Sequence, residues 1–348
     1  MKIVVLAGGL SPEREVSLAS GSLIANALMD NGHKVCLLDL YLGRVLVESY
    51  EQLFHTKEEG VRYEHKITSK VPELKELTKE DKDKCYIGEN VISICRYADV
   101  VFLSLHGSAG ENGQIQAVFD CYGIRYTGSG YVGSLLAMDK DVSKQIMKRN
   151  HILTPAWVTL SKRHDLSQNL NEIESGIGYP CVVKPCSGGS SIGVSIVKSR
   201  EELHKAIEEV KEYEDMILIE KKIEGREFSI GILEGEALPI IEIIPMNGFY
   251  DYYNKYQISG TKEVCPADVD EKIAKRMQLI ALATHCAHRL GSYSRVDFIM
   301  DKNDNMYCLE VNTLPGMTPT RLLPQEAKAA EISYHELCER ILQSSNRC

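Results

Sequence analysis

The chain has 348 residues, 44% hydrophobic and 26% charged, with a formal net charge of −9, enough length for two or three globular domains. The acidic balance argues against a phosphate-backbone partner, because nucleic-acid binders carry basic patches and a high isoelectric point. The 11 cysteines include no C-x-x-C pair and the N-terminus no basic leader, and no run nears the roughly 20 apolar residues of a membrane span, so a cytoplasmic protein away from the membrane is expected.

MKIVVLAGG reads as a buried parallel-type strand running into glycines. SPEREVSLASGSLIANALMDNGH follows as a helix with apolar positions at helical spacing and a stop at Gly32, and KVCLLDL as a second strand. This βαβ start sets a helix N-terminus at the carboxyl ends of the strands, the crevice where open α/β sheets bind ligands. GGLSPE lacks the G-x-G-x-x-G spacing, so NAD binding is not expected. Glu13 and Glu15 fall in the first helical turn, and Glu13 either faces that crevice or is an ordinary helix charge. From Tyr41 to Asp99 the chain is charge-rich and weakly periodic, and solvated helices or loops without chemistry are expected. DVVFLSLHG is a further buried strand with His106 at its carboxyl end, where a ligand-facing and a core histidine are both open readings.

IRYTGSG gives a short strand and a Gly-rich turn, YVGSLLAMDKDVSKQIMKRNHI a helix carrying Lys140, and TPAWVTL the start of a new domain. In CVVKPCSGGSSIGVSIVKS a strand delivers Lys184 into a loop of Ser187, Gly188, Gly189, Ser190 and Ser191. Such a loop lets successive backbone N–H groups form an anion nest, and the lysine adds a point charge; a plain Gly/Ser hairpin is the competing reading. EELHKAIEEVKEY is an amphipathic helix. MILIEKKIEGREFSIGIL is strand, turn and strand, with Glu220 and Glu227 at strand ends as partners for a nucleoside or as surface charge. MNGFYDYYNKYQISGTKEVCPA, carrying Lys255 and Tyr256, is too long for an ordinary connection and reads as a lid. In RVDFIMDKNDNMYCLEVNTLPG two β-rich runs flank the turn residues KNDN, so antiparallel pairing sets Asp297 beside Glu310, with Asn312 on the same face. Oxygen ligands with few others suit Mg2+, which shares its sphere with waters and substrate phosphates; an acidic hairpin in solvent is the alternative. TPTRLLPQEAKAAEISYHELCERIL closes the chain with helical pattern.

Taken in order, GGLSPEREVSL, LSLHGSAGENGQIQ, LLAMDKDVSK, VVKPCSGGSSIGVS, ILIEKKIEGREF, FYDYYNKY, SRVDFIM and LEVNTLPGMTPT resemble the D-alanine–D-alanine ligases of the ATP-grasp superfamily. The resemblance spares mainly Tyr41 to Asp99. It implies an α/β and α+β chain: an ATP-grasp fold with an N-terminal doubly wound (Rossmann-like) α/β domain over 1–128, a central subdomain over 129–222 and a C-terminal one over 223–348. It further implies an ATP-dependent ligase, commonly a homodimer, that joins two D-alanine molecules through an acyl phosphate for peptidoglycan precursors. A D-alanine–D-serine ligase, or one for another D-amino acid, of the same family is the alternative.

Residue by residue, the resemblance places Lys140 and Lys184 on the ATP phosphates, Glu220, Lys221 and Ile223 at the adenine, Glu227 at the ribose, and Lys255 at the phosphates under a closed lid. Asp297, Glu310 and Asn312 would hold two Mg2+ (or Mn2+) ions. Glu13, Ser190 and Tyr256 match a hydrogen-bonded set that ties the first domain to the lid, and Arg295 with the Gly316 N–H matches the groups that stabilise the tetrahedral intermediate. His106, Arg321 and Leu322 fall in the substrate pocket. Arg321 departs from the family, which commonly has serine there, facing the carboxylate of the second amino acid; an arginine would clamp that carboxylate bidentately or swing outward and reshape the pocket.

Overall fold

The structure, a computed structural model, describes residues 1–44, 49–67, 74–78, 85–161, 171, 173–189, 193–245 and 261–345. Among them the strands β1 (Lys2–Ala7), β2 (Lys34–Asp39) and β3 (Val100–Leu103) form a parallel sheet in the order β2-β1-β3. β1 is central, and Ile3 to Ala7 are fully buried, as an uninterrupted apolar run covered on both faces requires. The helix Arg14–Asp30 connects β1 to β2, completing the expected βαβ unit. Glu13 is its N-cap rather than a residue of the first turn, and Glu15 lies within that turn.

The start of this helix is fixed by a buried ion pair. Arg14 donates through Nη1 to Gly9 O at 3.0 Å and pairs bidentately with Asp39, at the end of β2. Asp39 also accepts from the N–H groups of Tyr41 and Leu42 at 2.9 and 3.0 Å, so one carboxylate ties the helix start to the chain leaving β2. Gly8, at φ +74°, passes so close that a Cβ there would sit 2.2 Å from the Asp39 carboxylate.

Described residues between Tyr41 and Asp99 depart from the solvated segment expected. Phe54 is 4% exposed within the first core, His55 forms an antiparallel bridge to Val35 beside β2, and the helix Val91–Tyr97 buries Val91, Ile94 and Cys95. Isolated apolar residues among the charges anchor the segment, a pattern with too few repeats for periodicity to reveal.

A second sheet joins β4 (Trp157–Ser161), β5 (Cys181–Pro185), β6 (Ser195–Val197) and β7 (Met216–Lys221) in the antiparallel order β4-β7-β5-β6. The helix Arg200–Lys211 covers it with Leu203, Ala206, Ile207 and Val210, spaced as one helical stripe; Ser199 caps it by accepting the Glu202 N–H. The third sheet takes β8 (Arg226–Leu233), β9 (Glu236–Ala237), β10 (Ile241–Pro245), β11 (Thr261–Val264), β12 (Tyr293–Met300) and β13 (Met306–Asn312), ordered β11-β10-β8-β12-β13 with β9 beside β8. The β12–β13 turn spans Asp301 to Asn305, where Asp301 accepts from the N–H groups of Asn303 and Asn305 and Asp304 takes φ +59°.

Packing crosses the divisions drawn at 128 and 222. Leu323, Leu337, Ile341 and Leu342 from the C-terminal helices share the core of the first sheet, and Met147 and Ile152 share that of the third. The C-terminal helices therefore complete the core of the N-terminal sheet. Asp39→Ala should cost about 3–5 kcal/mol of unfolding free energy in urea, because it strands a buried guanidinium; a loss below about 1 kcal/mol, the worth of a solvated pair, would refute that role.

Candidate active site

The β12–β13 pairing sets the site. Asp297 is opposite Glu310 and Arg295 opposite Asn312, and the register shifts just after Asp297. The Asp297 side chain accepts from Ser229 Oγ at 2.6 Å, from Arg295 Nε and Nη2 at 2.9 and 2.8 Å, and from Asn312 Nδ2 at 3.0 Å. These bonds fix its orientation and, with Arg295, offset the cost of burying a charge that is 7% exposed. Glu310 is one-third exposed and 3.9 Å from Lys140 Nζ. Two carboxylates in register and a neighbouring amide are an all-oxygen donor set, the hard ligands that Mg2+ or Mn2+ takes. Their chemistry suits a divalent cation, and because each oxygen of Asp297 already accepts two hydrogen bonds, a cation there would replace at least one of them.

Between the second and third sheets lies a cleft of about 500 Å3 lined by Lys140, Lys184, Glu220, Lys221, Ile223, Glu227 and Glu310. Asp139 caps the helix Lys140–Arg149 by accepting from the N–H groups of Asp141 and Val142, which starts the helix at Lys140 and lets its Nζ donate to Gly188 O. Lys184, on β5, and Glu220, on the adjacent β7, meet at 2.6 Å, and Lys144 reaches the second oxygen of Glu220 at 2.8 Å. Burial alone would raise the Glu220 carboxyl; the two ammonium groups outweigh it and hold the carboxyl down at about 2. The Gly/Ser loop differs in part from the nest expected. Ser187 donates both its N–H and its hydroxyl to Glu214, at 2.9 and 2.6 Å, so its donors are directed away from the cleft that Gly188 and Gly189 line.

A smaller pocket of about 90 Å3 is lined by Glu13, His106, Glu111, Arg295, Glu310, Asn312, Gly316, Arg321 and Leu322. His106 Nδ1 is 3.1 Å from Leu314 O. A carbonyl only accepts, so Nδ1 carries the proton and Nε2, buried without a partner, is left as an acceptor. Burial lowers the histidine's pKa against the opposing charge of Glu13, which keeps the ring neutral. The Glu13 carboxylate stands 3.0 and 3.1 Å from where a Cβ would be at Gly107 and Gly189, a close approach that glycines permit. Between cleft and pocket a third cavity is lined by Lys140, Gly188, Gly189, Glu310 and Asn312. Glu310 lines all three.

Ser190, Lys255 and Tyr256 lie outside the described residues. Residues that sequence reasoning passed over are Lys144, Ser229, Glu111 and Glu326. Lys144 follows Lys140 by four positions and shares its helix face, and Glu111 stands inside the LSLHGSAGENGQIQ motif, so both had a signal. Glu111 accepts from the N–H groups of Gly107 and Leu314 at 2.9 and 3.2 Å, and burial with the nearby Glu13 pushes its carboxyl up to about 7. Ser229 and Glu326 are reached only through pairing and packing that no local pattern encodes.

Two family models cover most of the chain: D-ala D-ala ligase N-terminus over residues 2–129 and D-ala D-ala ligase C-terminus over residues 146–343. A D-alanine–D-alanine ligase from Pediococcus pentosaceus is 44% identical over 345 residues, covering 98% of this chain and 97% of its own. The solved D-alanine–D-alanine ligase of Bacillus anthracis complexed with ATP is 30% identical with a TM-score of 0.75, covering 99% of this chain and 97% of its own. The VanG D-Ala:D-Ser ligase of Enterococcus faecalis is 28% identical with a TM-score of 0.76, covering 98% of each chain.

Behind the pocket, the fully buried Glu326 packs against Gly231, and burial pushes its carboxyl up from 4.5 to about 8 although Arg295 opposes the shift. A carboxyl raised on folding contributes stability below its unfolded pKa and loses it as pH rises through the folded value, about 1.4 kcal/mol per unit of displacement. Glu326→Gln removes this titration. Urea unfolding of variant and parent should therefore diverge in the variant's favour between pH 5 and pH 9; a constant difference would show that Glu326 does not titrate in that window.

Proposed function

The chain belongs to the D-alanine–D-alanine ligase family, and from that membership we propose that it joins two D-alanine molecules at the expense of ATP, yielding D-alanyl-D-alanine, ADP and phosphate for peptidoglycan precursors. The supporting observation is the position of Glu310, which lines the large cleft, the small pocket and the cavity between them. A nucleotide tail and an amino-acid carboxylate meeting there share one carboxylate wall. We keep the division into an N-terminal domain over 1–128 and two ATP-grasp subdomains over 129–222 and 223–348, and extend the reading to a cytoplasmic homodimer on family resemblance.

The chemistry begins with two anions, a carboxylate and the γ-phosphate, that repel. Lys140 and Lys184 would take the phosphates, Glu220, Lys221 and Ile223 the adenine, and Glu227 the ribose; all line the large cleft. Asp297, Glu310 and Asn312 would hold two Mg2+ or Mn2+ ions, which supply charge neutralisation at the phosphate oxygens when bound. Glu13 offers an acceptor to an α-ammonium group in the small pocket, with His106 and Leu322 as walls. Attack of the first D-alanine's carboxylate oxygen on the γ-phosphorus expels ADP and gives an acyl phosphate; the neutral amine of the second D-alanine then attacks its carbonyl, and phosphate and a proton leave. Arg295 and the Gly316 N–H would face the oxyanion, where loss of one donor costs about 10² to 10³ in rate. Acyl phosphates hydrolyse readily, so Ser190, Lys255 and Tyr256 are assigned to the closure that excludes water until the amine has reacted.

Arg321 lines the pocket beside Gly316, its Cγ 3.2 Å from where a Cβ would be on that glycine. From there it would clamp the carboxylate of the second amino acid, with D-alanine as acceptor. Phosphate release from ATP should depend on added D-alanine, and kcat/KM should be higher for D-alanine than for D-serine or D-lactate as acceptor; a preference for D-serine would move the chain to the alternative assignment. Asp297→Ala and Glu310→Ala, in variants that fold as shown by circular dichroism, should each lose about 10²-fold or more in dipeptide synthesis. Undiminished synthesis would remove the metal assignment.

A further inference from the structure

Lys144 belongs to no role assigned above. It is 1% exposed, and its ammonium group meets three acceptors: Glu220 Oε2 at 2.8 Å, Thr154 Oγ1 at 2.8 Å and Pro155 O at 3.3 Å. The contacts to Thr154 and Pro155 are hydrogen bonds, and the contact to Glu220 is an ion pair. The Trp157 ring, 5.4 Å from Nζ to its centroid, closes another side. Lys144 does not line the cleft, whereas Glu220 and Lys184 both do. Glu220 thus stands between a lysine fixed behind it and a lysine that faces the ligand.

The two lysines differ when nucleotide arrives. On the proposed reading Lys184 turns to the phosphates, which takes one cation off a carboxylate that is 4% exposed. A buried carboxylate without a charge partner takes up a proton. The two forms read opposite chemistry, since a carboxylate only accepts, matching the 6-amino group of adenine, while a carboxylic acid donates to the 6-keto oxygen of guanine or hypoxanthine.

We propose that Lys144 is the fixed counter-ion of Glu220, a positioning residue that keeps this carboxylate charged and in place when Lys184 leaves it, so that the cleft selects 6-amino over 6-keto nucleotides. The inference rests on the assignment of Glu220 to the base and goes beyond it by naming what preserves the charge. Selectivity is the informative readout, because a lysine that only supports the fold would alter stability without altering the choice of base.

The test compares kcat/KM for ATP and GTP, with saturating D-alanine, in the parent and in Lys144→Met, Lys144→Gln, Lys144→Arg and Glu220→Gln. The expected result is a fall in the ATP-to-GTP ratio of about tenfold or more in Lys144→Met, Lys144→Gln and Glu220→Gln, with Lys144→Arg staying near the parent. If Glu220→Gln lowers the ratio while both neutral Lys144 variants retain it, the counter-ion role is overturned and the base assignment stands. If Glu220→Gln leaves the ratio unchanged, the base assignment fails and the inference falls with it. Lys144→Gln keeps a polar end for Thr154 and Pro155, so the outcome does not hang on whether Lys144→Met folds.

Discussion

The site depends on one pairing register. With Asp297 opposite Glu310 and Arg295 opposite Asn312, the hairpin presents an acid, an acid, a guanidinium and an amide within two residue positions. A slip by one residue would turn these side chains to the opposite face of the sheet and bring apolar neighbours such as Val296 and Val311 outward. Both of those valines are buried in the third core, so the burial that stabilises the sheet also holds the polar set in place. The register shift falls directly after Asp297, midway along the six residue pairs.

The surrounding charges follow from that arrangement. Asp297 is satisfied by Arg295, Ser229 and Asn312, whereas Glu310 has Lys140 at 3.9 Å, a distance of attraction without a hydrogen bond. Glu220 has ammonium groups on both oxygens. One carboxylate is thus locked, one open and one doubly compensated. This graded arrangement suits the polyanion proposed for the cleft: cations are already present, and each is held by a carboxylate or carbonyl with which phosphate would compete.

Much of this was legible in the sequence because the relevant signals are local. A hairpin turn between two β-rich runs fixes which residues face each other, and Asp301 and Asp304 form that turn in the structure. Strand, glycine and helix at the N-terminus gave the parallel βαβ unit. What escaped needed distant partners. Glu214 lies 27 positions from Ser187, yet it takes both Ser187 donors. Ser229 lies 68 positions from Asp297 and reaches it because β8 and β12 are neighbours. Phe54, Val91 and Ile94 sit singly among charges, so their burial in the first core has no periodic signature. The core shared by the first sheet and the last helices is likewise a tertiary fact, joining residues near 5 and 340 without a repeat or motif to announce it.

That shared core bears on the chemistry through Leu314. Its N–H is held by Glu111 and its C=O by His106, both from the N-terminal domain, while its side chain packs into the first core at 2% exposure. A residue held at its N–H, its C=O and its side chain has little freedom left, and Gly316 follows only two residues later. A donor aimed at a developing oxyanion is effective only if it needs no reorganisation as charge appears. The physical contribution of the first domain to the proposed reaction is therefore more than a wall for the amino acid. It immobilises the backbone from which the Gly316 N–H extends, and this links the packing of the last helices on the first sheet to the position of a single backbone donor.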